Sequence, residues 1–293
     1  MRNRRALALA TLTITILAGA PFPAQATGLR QELRALEASF HGRIGAFALD
    51  TATGKTVGYR AAESFPLLST FKALVAAAVL HQARTSAPGL MDKVLHWTSG
   101  DLKPNSPITS KHVEDGLTVA RLCEAAITVS DNTAGNLLLK QIGGPAGLTR
   151  YLRSLGDPVS RLDRWESELN DWKPGERRDT TTPAAAATDL RKLTTGTALT
   201  PKDRTRLIGW LLATSTGDAR IRAGLPKTWT IGDKTGTAGV YGGANDIAVI
   251  WPTKHAAPVI MAIYTTRREA SAAPDEKTIA RTATILARSL GKL

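Results

Sequence analysis

The sequence predicts a mixed α/β fold, of the α+β kind, in which strands from both chain ends build one sheet and an all-helical lobe is inserted between them. Three observations carry this reading. Strand-like segments open the folded part of the chain, helical spacing fills the middle from Ser69 to about Leu212, and strand pattern returns in the last third. Two early strands and three late ones make five, and 293 residues are ample to bury a core around them.

Leu29 to Phe40 has helical apolar spacing. Ile44–Asp50 and Thr56–Arg60 read as strands around the turn Thr51-Ala52-Thr53-Gly54. Gly54-Lys55-Thr56 is not a phosphate loop, because the first glycine of that motif would fall at Leu49. Phe71 to Arg84 is alanine-rich and apolar on nearly every side, as in a helix buried in the middle of a domain. Helices follow at Val119–Val129, Ala134–Gln141, Gly147–Leu155, Ala184–Leu193 and Pro201–Ala213. A long irregular stretch, Asp163 to Asp179, interrupts them, and loops of that length inside compact domains are mostly functional. Thr228–Thr237, Asp246–Trp251 and Val259–Thr266 are rich in β-branched residues and separated by Gly and Pro signals, so they read as strands. Asp275 to Leu290 closes the chain as a helix. No internal repeat is evident.

The first 26 residues are of another kind. Arg2, Arg4 and Arg5 precede an apolar run from Ala6 to Ala20, and Ala24-Gln25-Ala26 supplies a small-x-small cleavage site. This is a secretory signal peptide, too short in its apolar run to span a bilayer comfortably, and the expected destination is the periplasm or the medium. Arg4-Arg5 is too loose a twin-arginine match to choose an export route. The folded unit is then 27–293, with a sheet lobe of 27–65 and 213–293 and a helical lobe of 66–212 that contains the 164–179 loop. No membrane span is expected after signal cleavage.

Removing the signal arginines leaves 35 basic against 25 acidic residues. The basic residues are scattered, with no block interleaved by aromatics, so nucleic acid is not an expected partner. The five histidines show no metal-ligand spacing, and neither a metal nor another cofactor is expected. The single cysteine, Cys123, excludes an internal disulfide and reads as a small buried hydrophobe. No large unexplained apolar stretch argues against a monomer.

Three short motifs carry chemistry. In Ser69-Thr70-Phe71-Lys72, serine and lysine three apart on a helix share a face, so the amine reaches the hydroxyl. In apolar surroundings the amine becomes a base; held charged, it orients and stabilises. The spacing alone is weak, since Ser289-Leu290-Gly291-Lys292 repeats it at the C-terminus. Ser130-Asp131-Asn132 adds a second hydroxyl for proton relay and an amide to hold a carbonyl, although the same trio caps helices well. Lys234-Thr235-Gly236-Thr237 on a strand offers a cation and hydroxyls to a carboxylate, with Gly236 permitting close approach of a substrate to the strand edge. An exposed strand lysine is the plain alternative.

Together, in this order and setting, the three motifs resemble the penicillin-binding protein superfamily from about Gly42 to the end of the chain. Arg164-Trp165-Glu166-Ser167-Glu168-Leu169-Asn170 and Arg178-Asp179-Thr180-Thr181-Thr182-Pro183 resemble the loop of its class A serine β-lactamases. The resemblance implies a five-stranded antiparallel sheet flanked by helices, with the active site between sheet and helical lobe. It implies hydrolysis of a β-lactam ring, a small-molecule substrate. Ser69 would be the nucleophile, activated by Lys72 or by Glu166 through water, with the backbone N–H groups of Ser69 and Thr237 as oxyanion hole. Ser130 would protonate the ring nitrogen, Asn132 would hold the side-chain amide, and Lys234, Thr235 and Thr237 would bind the carboxylate. Glu166 and Asn170 would hold the deacylating water, and Arg164 would pair with Asp179 across the loop neck.

The chain also departs from the family. Gly242 to Asp246 lacks the arginine with which many relatives bind the carboxylate, and Arg220 looks like the substitute some members use. Cys123 faces Ala76 in place of a cysteine, and Asn105 precedes Ser106-Pro107 where an aromatic gatekeeper is common. Arg220, Thr237 and Gly239-Val240-Tyr241-Gly242 resemble the carbapenem-hydrolysing members, but Leu68 and Ala238 stand where those enzymes carry a disulfide. A transpeptidase or a penicillin-sensing domain would share the three motifs and lack Glu166; a serine–lysine glutaminase would lack Ser130-Asp131-Asn132.

Overall fold

In the computed structural model, which describes residues 24–293, the chain opens with helix α1 (Ala24–Phe40) and strands β1 (Gly42–Asp50), β2 (Thr56–Tyr59) and the short β3 (Phe65–Pro66). Helix α2 (Phe71–Thr85), short strands β4 (Val94–Leu95) and β5 (Leu117–Thr118), and helices α3 (Val119–Thr128), α4 (Asn132–Gln141) and α5 (Gly144–Ser154) follow. Strand β6 (Thr180–Thr181) precedes α6 (Pro183–Thr194) and α7 (Pro201–Leu212); β7 (Thr230–Thr237), β8 (Ala244–Trp251), β9 (Val259–Arg267) and α8 (Glu276–Leu290) complete the chain. The signal segment expected over 1–26 falls outside the described residues, except that Ala24–Ala26 begin α1. Among the described residues no helix is long and apolar enough to cross a membrane.

The five long strands form one antiparallel sheet in the order β2-β1-β9-β8-β7, so the first and last strands from the two ends of the fold, β1 and β9, pair inside it and β7 is left at an edge. One face packs against α1 and α8 through Leu33, Ile44, Ile263, Ile279 and Leu286. The other face contributes Ile247, Val249, Ile260 and Tyr264 to a larger core shared with the helices. Helix α6, placed by the sequence in the helical lobe, lies across β1, β8 and β9. The two lobes therefore share one core.

Capping explains most helix starts. Thr118, Thr182 and Thr200 each accept a backbone N–H of the following turn, and the last two precede proline at the first helical position. Helix α4 begins two residues before the expected Ala134 because Asp131 caps it, taking Ala134 N–H at 2.9 Å. The two-residue pairs β3–β6 and β4–β5 were not expected; segments so short carry no alternation to read.

Helix α2 is buried on all sides from Phe71 to Leu80, its alanines letting α3, α4 and α7 close around it. The 163–179 loop is tied at its neck. Arg164 Nε meets Asp179 Oδ2 at 2.6 Å, while Asp179 Oδ1 accepts the N–H groups of Asp163 (2.7 Å) and Arg164 (2.9 Å). Asp179 is fully buried and in the left-handed backbone region at φ 56°, so its carboxylate is costly unless every partner is present. Replacing Asp179 with Asn is expected to destabilise the fold by about 2–4 kcal/mol in urea unfolding, with earlier proteolysis within the loop. Unchanged unfolding would show that the neck does not need the charge.

Candidate active site

Between the edge strand β7 and the helical lobe lies a cavity of about 440 Å³. Ser69, Ser130, Asn132, Asn170, Arg220, Thr235, Gly236 and Thr237 line it, together with Asn105, Thr216 and Glu276. The structure thus brings together every cavity-lining residue that the sequence singled out. Lys72, Glu166 and Lys234 lie just beneath, fully buried.

Ser69 sits in a single 3-10 turn, Leu68–Thr70, and not in α2 itself, which starts at Phe71. The turn is entered through Leu68 at φ 48°, a left-handed conformation unfavourable for a branched side chain. Lys72, one turn on, points Nζ back at Ser69 Oγ, 2.9 Å away. The same Nζ reaches Asn132 Oδ1 at 2.5 Å, the Ser130 carbonyl at 3.0 Å and Glu166 Oε1 at 2.9 Å. Burial pulls the Lys72 amine below the ordinary lysine range, and the neighbouring Glu166 carboxylate opposes that shift.

Glu166 comes from the loop but is no solvated loop acid. Its Oε1 accepts from Ser69 Oγ at 3.3 Å and its Oε2 from Asn170 Nδ2 at 2.7 Å. Asn136 grips its backbone from both sides, taking Glu166 N–H (2.9 Å) and donating to its carbonyl (2.9 Å). Asn170 Oδ1 is buried and meets no donor among the described residues. The Glu166–Ser167 peptide is cis.

Within Ser130-Asp131-Asn132 both readings of the trio hold, divided by residue. Asp131 is structural: besides capping α4 it accepts from Ile108 N, Thr109 N and Thr109 Oγ1. Ser130, at φ 58°, and Asn132 turn to the cavity. Ser130 Oγ lies 3.0 Å from Lys234 Nζ and 3.4 Å from Lys72 Nζ, a hydroxyl between two buried amines. Burial and the charge of Lys72 lower the Lys234 amine well below its usual range. Lys234 is therefore not the exposed strand lysine that the sequence also allowed.

Gly236 has a second role besides the one expected at the strand edge. It lines the cavity, but its missing side chain chiefly admits the nucleophile turn: a Cβ there would stand 2.9 Å from Leu68 Cβ and 3.0 Å from Ser69 N. The glycine lets β7 back directly onto the serine. Asn245 in β8 secures the same turn by donating to the Pro66 carbonyl at 2.7 Å.

Arg220 is buried, with Nη1 on the carbonyls of Gly236 (2.8 Å) and Asn245 (2.7 Å) and Nη2 on Thr237 Oγ1 (2.6 Å). Glu276 faces its Nε at 3.2 Å. Behind it, Asp246 takes the Ile221 N–H and is raised well above the usual carboxyl range by burial and by Asp233. The sequence reading missed Asn136, Asn245, Thr216 and Glu276. Asn136 could have been found, one helical turn beyond Asn132 on the same face. Nothing local marks the others.

Cys123 is buried and free, its thiol pushed up by burial, and the second serine–lysine spacing ends in Lys292, paired with Asp50 across the fold. Among the described residues no three His, Cys, Asp or Glu side chains gather as metal ligands.

Comparison with known proteins agrees with this geometry. Residues 28–290 match the family model described as the beta-lactamase enzyme family. The chain is 50% identical to the carbapenem-hydrolyzing beta-lactamase KPC of Klebsiella oxytoca, over 87% of each chain. The crystal structure of a beta-lactamase from Streptosporangium roseum superposes with a TM-score of 0.90 at 70% identity, over 91% of this chain and all of that one. The class A beta-lactamase of the last common ancestor of Gram-negative bacteria gives 0.86 at 52% identity, over 90% and 99% of the two chains. Its motifs, its sheet and its buried lysine–glutamate centre have the same explanation: the chain belongs to the β-lactamase enzyme family, in class A.

Proposed function

We propose that this enzyme hydrolyses β-lactams through an acyl-enzyme on Ser69 that Glu166 then releases. The observation that carries the reading is Glu166 Oε1, within hydrogen-bonding distance of both Ser69 Oγ (3.3 Å) and Lys72 Nζ (2.9 Å). Ser69 attacks the lactam carbonyl, and its proton passes to Lys72 or Glu166, both of which are in reach. The oxyanion is held by the N–H groups of Ser69 and Thr237. Ser130, oriented by Lys234, delivers a proton to the departing ring nitrogen. Asn132 holds the substrate's side-chain amide. The substrate carboxylate is bound by Lys234, Thr235, Thr237 and Arg220, a guanidinium already braced on Thr237.

Deacylation needs a base beside a water. Glu166 supplies it, with Asn170 donating to one oxygen and offering its own buried Oδ1 to the water. This separates the reading from a transpeptidase or a sensor, which would stop at the acyl-enzyme. The proposed setting is extracytoplasmic, as a monomer without cofactor, where hydrolysis protects a cell from the antibiotic.

Penicillins and cephalosporins are the proposed substrates, with slow turnover of carbapenems. Arg220 and Thr237 support the last, as does the 50% identical carbapenem-hydrolyzing relative. Where the resemblance to such enzymes implies a disulfide, this chain has Leu68 and Ala238, both buried beside Gly243.

Mixed with a chromogenic cephalosporin, the wild type is expected to turn over many equivalents. Glu166→Gln should lose about 10³-fold or more in kcat and show an adduct on Ser69 by intact mass. A wild type that stops after one equivalent would make it a sensor or transpeptidase. Arg220→Ala should raise KM for carboxylate-bearing substrates roughly 10- to 100-fold, with a smaller change in kcat. Steady-state rates on a penicillin, an oxyimino-cephalosporin and imipenem test the spectrum; inactivity on all three ends the proposal.

A further inference from the structure

The 163–179 loop lines two cavities. Asn170 faces the one at Ser69, whereas Trp172, Gly175, Glu176 and Arg177 form a wall of a second, of about 820 Å³. Another wall comes from Arg43 of β1 with Glu63 and Ser64, which follow β2. The rest comes from Arg153, in the last turn of α5, and from Val159 and Arg161 beyond it. The two cavities share no lining residue, and a volume of this size lies in the range of small-molecule sites.

Arginines dominate the lining. Arg43, Arg153, Arg161 and Arg177 face it, against Glu63 and Glu176. Both glutamates are already taken. Glu63 pairs with Arg43 and with Arg60, each at 2.8 Å, and Glu176 pairs with Arg178 at 2.6 Å. Arg161 forks onto Asp163, with Nε 3.1 and 2.9 Å from its two oxygens.

Arg153 and Arg177 are left. Arg153 has no carboxylate within ion-pair distance among the described residues, and its Nη1 donates to the carbonyls of Asp157 (2.6 Å) and Ser160 (2.7 Å). Asp157 turns its own oxygens to the N–H groups of Val159 and Ser160. The Arg177 side chain is exposed and meets no partner among the described residues; only its backbone is engaged, by Glu176 and Thr180. With their partners counted, Arg43, Arg60, Arg153, Arg161, Arg177 and Arg178 stand against Glu63, Asp157, Asp163 and Glu176. Two positive charges remain in a concave setting, where the field of like charges is focused.

Guanidinium forks match the oxygens of phosphate, and one phosphate group carries up to about two negative charges. The two uncommitted forks come from separate segments, so a ligand that meets both carries more than one such group. We propose that this cavity is a second binding site, for a free small molecule bearing two or more linked phosphates, with Arg153 and Arg177 as its anchors. Arg177 belongs to the loop and Arg153 to α5, so the ligand ties the loop to the helical lobe.

Tripolyphosphate titrated into the folded enzyme by calorimetry tests this. One equivalent should bind saturably, and Arg177→Glu should weaken binding about 10-fold or more. Arg177 is exposed and unpaired, so its replacement leaves the fold intact. Arg153→Gln, which keeps a donor for the two carbonyls, should also weaken binding. Loop amides from 172 to 178 should exchange more slowly with the anion bound. Absence of saturable binding, or unchanged exchange in the loop, overturns the proposal. Arg281→Glu, on α8 outside the cavity, makes the same charge change; equal weakening there means general attraction to a basic protein and overturns it too. Loss of binding in Arg220→Ala with retention in Arg177→Glu would put the anion in the cavity at Ser69 instead. Capture by phosphatidylglycerol vesicles without binding of tripolyphosphate would make the arginines a headgroup patch, and the free-ligand site would fall.

Discussion

A lysine and a glutamate with no exposure to solvent, 2.9 Å apart, set the terms for the rest of this molecule. Burying either ion alone costs several kcal/mol, and their mutual attraction offsets this only when the remaining donors and acceptors are also matched. The fold supplies the matches from four places. The nucleophile turn gives Ser69, α4 gives Asn132 and Asn136, the turn before it gives the Ser130 carbonyl, and the loop gives Asn170. Helix α2 can be apolar along its buried length because its one buried charge, Lys72, is met within a single turn of its start, while Arg84 at its far end pairs with Asp203. The loop, for its part, must be closed at the neck, or its acid would be drawn out to water.

A second buried amine, Lys234, makes the site a divided field. Ser130 Oγ stands between the two lysines, so a proton on that hydroxyl is repelled from both sides while its oxygen is held. Such arrangements are preorganised at a cost paid in backbone conformation. Leu68, Ser130, Asn105 and Asp179 all sit at positive φ, each disfavoured by roughly 1–2 kcal/mol, and three of them border the cavity or the nucleophile. Asp233 and Asp246 continue the pattern behind β7, their carboxyls lifted by burial while they tether Arg222 and the Ile221 N–H next to Arg220.

The sheet, the order of helices and most of the cavity-lining residues, though not Thr216 or Glu276, were legible in the sequence, because strand alternation, capping signals and short motifs are local. What stayed hidden is what contacts across the chain decide. The Gly236 reading needed the position of Leu68, and Lys234 as a buried rather than exposed lysine needed the helical lobe in front of it. Asn245 acts on Pro66 across 179 positions, and no spacing rule reaches that far. Asp131 shows a subtler limit. A capping residue inside a chemical motif satisfies two patterns at once, and only its four donors reveal which one it serves.

The packing of Leu68 and Ala238 against Gly243 has a consequence for how the enzyme comes into being. Apolar contact there, with one inert thiol elsewhere, leaves maturation with no oxidative step. With one cysteine the chain forms no disulfide within itself, and reductants find no such bond to break. The nucleophile turn is thus held by burial, from Leu67 to Thr70, and by Asn245 on the carbonyls of Pro66 and Leu67, so that its footing is the core itself.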